Sequence, residues 1–210
     1  MIHLLRTRSE KDRTGKVYEG EASTGLDVCA FIGTANLFFC GLVITSLESL
    51  PPVVHLSVVY LVVSAVAFII SSVIYANVQG TMHRKQLSAK MIEVGNWVSE
   101  YAGVYVFLIA IPLLILGVTN VVLVQIATAI TCYGALLLYS SSPYSIDERR
   151  FGRGIDRILN TIILSVFCIG LYIVGMFAPQ YLLSAGLIGA LILLSFSFFS
   201  LSFDDVGAKK

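Results

Sequence analysis

Long uninterrupted apolar runs dominate this chain, and short polar or proline-containing breaks separate them. Six stretches stand out: Leu26–Leu47, Val53–Ala76, Trp97–Leu116, Thr119–Tyr139, Ile155–Phe177 and Tyr181–Phe203. Each is close to the roughly 20 apolar residues that carry a helix across a bilayer. Lipid offers no partner for open backbone groups, so spanning segments must be helices or closed barrels. Barrel strands are short and alternate in polarity, whereas these runs are long and apolar on every side. The pattern predicts an all-α integral membrane protein with six transmembrane helices. They fall in one domain over residues 25–203, between a tail at 1–24 and a tail at 204–210.

Punctuation supports the ends. Thr24-Gly25-Leu26-Asp27 reads as a capping-box-like start to the first helix. Pro51-Pro52 suits the first turn of the second, and Pro179 separates the fifth from the sixth. Gly117-Val118-Thr119-Asn120 must turn between the third and fourth, since Trp97–Tyr139 unbroken would far exceed one crossing. Gly25-Leu26-Asp27, Gly95-Asn96-Trp97 and Gly154-Ile155-Asp156 share an entry pattern that suggests a threefold repeat of hairpins. Met82, Gln86, Leu87, Lys90 and Met91 suit a helical extension before the third span, and Ser145-Ile146-Asp147-Glu148 a capping box before the fifth.

Charge sets the orientation. All 14 Lys and Arg residues lie in the N-terminal tail, the second-to-third connection, the fourth-to-fifth connection with the start of helix five, and the C-terminal tail. The other three connections carry none. Basic residues mark cytoplasmic loops. The expected topology is therefore three hairpins with both termini cytoplasmic (N-in/C-in), in a plasma membrane. The N-terminus shows no cleavable signal pattern, so the first helix is the expected insertion signal. Arg84, Lys85, Arg149, Arg150 and Arg153 are candidate contacts for anionic headgroups or a partner protein.

Composition agrees with this picture. The 210 residues are 57% hydrophobic and 13% charged, about half the charge of a soluble domain. The net charge of +1 argues against nucleic-acid binding. Cys29, Cys40, Cys132 and Cys168 fall inside apolar runs with no CxxC pair, which reads as packing rather than as a metal or disulfide framework.

Few polar groups lie within the spans. Asn36, Ser64, Gln125 and Thr128 are the candidate solute-facing residues, and a buried Asn36 amide needs a partner such as Gln125 or a hydroxyl. Ser57, Tyr60, Ser64, Ser71 and Tyr75 repeat at helical spacing in the second span. Thr161, Ser165, Cys168 and Tyr172 do so in the fifth, and Gln125, Thr128 and Cys132 in the fourth. Ala185/Gly189 and Gly186/Ala190 are small-residue pairs of the sixth, the face expected to stay open for a partner. Asp27, Glu100 and Asp156 fall near cytoplasmic ends of the predicted spans, which leaves span centres without ionisable groups.

No catalytic, phosphate-binding or metal-binding constellation stands out among the three histidines and scattered serines. No cofactor is implied. The expected function is a non-enzymatic subunit, scaffold or assembly factor that works in the lipid bilayer with another membrane protein or as a homo-oligomer. The alternative is a small transporter or pore for a neutral or weakly polar solute.

Overall fold

A computed structural model describes residues 15–45, 50–80, 85–140 and 155–191. All secondary structure among them is helical: α1 (Gly15–Ile44), α2 (Pro52–Gly80), α3 (Lys85–Trp97), a π-helical segment (Val98–Tyr105), α4 (Val106–Val118), α5 (Val122–Ser140) and α6 (Ile155–Phe177). A 3-10 turn over Pro179–Tyr181 leads into a last helical run at 182–191. Among the described residues, four helices are long and apolar enough to cross a membrane: Ala22–Ile44, Pro52–Gly80, Leu87–Val118 and Val122–Tyr139. A shorter apolar helix covers Ile162–Phe177. Large apolar side chains lie exposed along them, Phe31, Phe38, Leu123, Ile130, Val166 and Phe177 among them. Water would penalise so many exposed apolar groups; lipid does not.

Two starts differ from the sequence reading. Thr24-Gly25-Leu26-Asp27 caps nothing, because α1 is already helical from Gly15. Gly95-Asn96-Trp97 is no helix entry either, because α3, the π segment and α4 run on without a break from Lys85 to Val118. Both glycines serve packing instead. Cap signals are local, and tertiary contact along a continuing helix outweighs them. Gly154, the third member of the supposed repeat, and Ser145-Ile146-Asp147-Glu148 lie outside the described residues.

The chain divides into two compact units. The first is built from the described residues of Met1–Gly41 and Val62–Val106. In α1, Ala22, Cys29, Gly33, Asn36 and Cys40 are buried, at steps of three, four and seven that keep them on one face. Ala22 packs with Val78 and Ile92, and Cys29 with Phe68 and Tyr75. Gly33 lets α1 approach α2 closely, since a Cβ there would stand 3.1 Å from Phe68 Cβ. The Tyr75 ring is held between two helices. A Cβ on Gly25 would lie 2.8 Å from its Cε2, and one on Gly95 3.0 Å from its Cε1. Its hydroxyl donates to Asn96 Oδ1 at 2.6 Å.

Serines tie α2 to the helix opposite. Ser64 donates to the Gly103 carbonyl at 2.9 Å and Ser71 to the Gly95 carbonyl at 3.2 Å. Seven residues on α2 thus match eight on its antiparallel partner. The π segment begins between the two acceptors, includes Gly103, and absorbs the extra residue, as a single-residue insertion into an α-helix does. Without it the second serine would face a different part of the turn.

The second unit comprises the described residues of Leu42–Leu61 and Phe107–Lys210. Ser57, one heptad before Ser64, donates to the Ala110 carbonyl at 2.8 Å. Gly117 gives α4 room to end against Val53 and Val54. Gly186 faces Leu56 and Tyr60, and Gly189 faces Phe167. The small-residue face expected to stay open is therefore occupied within the unit at both glycines. Pro179 stops α6, and Ala178 N–H closes the end on Val174 O at 2.8 Å.

Candidate functional site

The groups singled out for a solute path are committed to the protein itself. Asn36 Nδ2 donates to Ser64 Oγ at 3.1 Å, and both residues are buried. Ser64 passes its own proton to the Gly103 carbonyl, which also accepts the Val106 N–H at the end of the π segment. The result is a three-helix relay, amide to hydroxyl to carbonyl, closed inside the first unit. The partner of Asn36 is thus a hydroxyl and not Gln125.

Gln125, in the second unit, has another task. Its Nε2 donates to the Thr119 carbonyl at 2.6 Å and to the Leu116 carbonyl at 3.3 Å. These lie at the end of α4, where the last carbonyls of a helix have no intrahelical donor. Gln125 therefore closes the tight turn that the sequence placed at residues 117–120. Thr128 donates to Val124 O at 2.8 Å, one turn back on its own helix. Arg84, Arg149, Arg150 and Arg153 lie outside the described residues, and Lys85 opens α3.

Ser64→Ala tests the relay. It strips the Asn36 amide of its acceptor and the Gly103 carbonyl of its second donor at one stroke. A loss of about 1–3 kcal/mol is expected from such orphaned buried groups, read as a lower melting temperature in detergent. Wild-type melting would show that the relay contributes nothing.

The sequence reading missed two features. The first is Glu100. The expected short helix put it near a wet mouth. The continuous helix instead places it inside the candidate span Leu87–Val118, where it is only 8% exposed. It sits in the π segment, beside an aromatic ladder: the Trp97 and Tyr101 rings are 6.1 Å apart, and Tyr101 and Tyr105 5.2 Å. The sequence pattern starts this span at Trp97, too late in the chain, because the helix preceding it is amphipathic. The second is Tyr133, which meets Tyr172 in the second unit. Tyr172 was legible as part of a polar stripe with Cys168; Tyr133, one place past Cys132, was not.

Among the described residues no three His, Cys, Asp or Glu side chains converge as metal ligands, and the four cysteines are free thiols in buried positions. The described geometry is that of a helical protein with helices long and apolar enough to cross a membrane and with buried polar side chains bonded internally. No protein-family model matches the chain, and neither a curated protein nor a solved structure matches it significantly.

Proposed function

We propose that this chain is a non-enzymatic subunit or scaffold of a membrane complex, crossing a plasma membrane six times with both termini in the cytoplasm. One observation carries the functional reading. Asn36, Ser64, Gln125 and Thr128 all direct their donors to acceptors within the protein. Groups used in this way glue helices together, as interhelical hydrogen bonds do in membranes. A solute path needs donors left for the solute. The topology is supported by the confinement of all 14 Lys and Arg to the tails, two connections and the start of the fifth span.

The test is affinity purification from native membranes in mild detergent, followed by native mass spectrometry. A second protein at fixed stoichiometry, or a defined homo-oligomer, is the expected result. A lone monomer from every gentle extraction would sink the reading.

Buried Glu100 favours a second reading, a small-solute transporter in which this carboxyl couples or gates movement. Ionisable groups inside a span mark solute and proton pathways. Proteoliposomes carrying the protein would then show proton uptake, reported by an entrapped pH dye, or osmotic swelling in a neutral solute. Glu100→Gln would abolish either while leaving the melting temperature close to wild type. Vesicles no leakier than protein-free controls would remove this reading.

A further inference from the structure

In the second unit, α5 and α6 bring two tyrosines together. The Tyr133 and Tyr172 rings meet edge to face, with centroids 6.3 Å apart and planes at 88°. Both hydroxyl oxygens are buried, and among the described residues neither has a hydrogen-bond partner. The buried Cys168 thiol, one turn before Tyr172, and the hydroxyls of Tyr172 and Tyr60 are all electrostatic neighbours of the Tyr133 hydroxyl. Tyr60 does not supply the missing acceptor: it is a third phenol, and its own proton goes to the Gly186 carbonyl at 2.7 Å.

Two unpartnered hydroxyls on rings in edge-to-face contact are costly in a protein surrounded by lipid, where water is not at hand to satisfy them. Phenylalanine would fill the same space at either position without that cost. The backbone carbonyls along helix interiors are already used by the helix, so they offer poor acceptors. Among the described residues, the groups that act on this cluster are phenols and thiols, none of them charged, which disfavours an ionic occupant.

The geometry points to a binding site in which Tyr133 and Tyr172 donate together to one oxygen atom of a neutral molecule. The oxygen accepts both protons, one from each helix, and pins α5 to α6. It belongs either to a buried water or to a carbonyl or ether group of a lipid-phase molecule. The Cys168 thiol lines the same place as a small, polarizable wall. This site is independent of both readings of the protein's function, since neither uses these residues.

Tyr133→Phe, Tyr172→Phe and the double variant, in the full-length protein in lipid nanodiscs, provide the test. Removing one hydroxyl leaves the bound oxygen with half its donors. Each single variant should melt roughly 2–6 °C below wild type, and the double no lower than the worse single, because the two hydroxyls share one acceptor. Infrared spectra in H2 18O identify a water: a band that shifts with the isotope in wild type and is lost in both single variants supports the site with water as occupant. Organic extraction with mass spectrometry identifies the other source: a molecule retained by wild type and lost from both variants supports the site with that molecule. Single variants that melt at or above wild type would overturn the proposal, since the hydroxyls would then be unpartnered. Coupled melting with neither an isotope-sensitive band nor an extractable molecule would overturn it too, because the two hydroxyls would then bond each other.

Discussion

Gln125→Glu will be among the most damaging single changes in this protein, though it alters one terminal atom of one side chain. The amide nitrogen lies 2.6 Å from the Thr119 carbonyl and 3.3 Å from the Leu116 carbonyl, and it donates to both. A carboxylate has no proton to donate and would set its charge against two carbonyl oxygens. Gln125 is buried, so neither solvent nor an ion pair relieves that charge. A loss of about 3–5 kcal/mol is expected, the scale of an uncompensated buried charge. Gln125→Leu, which merely orphans the carbonyls, should cost about 1–3 kcal/mol. Lowering the pH gives the Glu variant back one O–H donor, so its deficit should shrink in acid while that of the Leu variant stays constant. Melting temperatures across pH decide the matter. Equal effects of Glu and Leu, or none from either, would show that the turn does not depend on this amide.

The second large effect is expected at the glycines that grip Tyr75. A Cβ on Gly25 presses the Cε2 edge of the ring and one on Gly95 the Cε1 edge, so yielding to one worsens the other. The hydroxyl bond to Asn96 prevents the ring from swinging away cheaply. Gly25→Ala and Gly95→Ala should each cost about 1–3 kcal/mol, and valine at either position more. Helix propensity runs the other way, favouring alanine over glycine by about 1 kcal/mol. The sign of the result therefore separates ring contact from backbone preference. In a Tyr75→Ala background the clash is gone, and Gly25→Ala should become neutral or stabilising. If the penalty persists in that background, the ring is not its cause.

Both predictions concern residues whose type was plain in the sequence and whose task was not. Glycine before an apolar run often opens a helix, and on sequence alone Gly25 and Gly95 are helix entries. Their use as ring contacts depends on Tyr75, which lies far from Gly25 in sequence and on another helix. Gln125 was read as a solute-facing amide because it is polar in an apolar span. Its acceptors, six and nine residues earlier, come within reach only because the turn at residues 119–121 folds α5 back onto the end of α4. Asn36 was closer to legible: the sequence demanded a partner for it and allowed a hydroxyl, but not which one.

The sequence by itself determined the helical state and the membrane-spanning character, because both follow from local quantities. Run length against bilayer thickness, and the need to satisfy every backbone group within one segment, leave helix as the only answer for stretches such as Val53–Ala76. The break at Pro179 is legible too, although proline does not end a helix wherever it stands: Pro112 lies inside α4. Tertiary structure alone decided the rest. Whether Glu100 is wet or buried depends on where its helix begins and what packs on it. Whether Ser71 finds a carbonyl depends on one extra residue taken up by the π segment between Gly95 and Gly103. Hydrogen bonds between helices are set by distances of a few tenths of an ångström across chain separations of up to 126 residues, and no periodicity in one stretch of sequence encodes them.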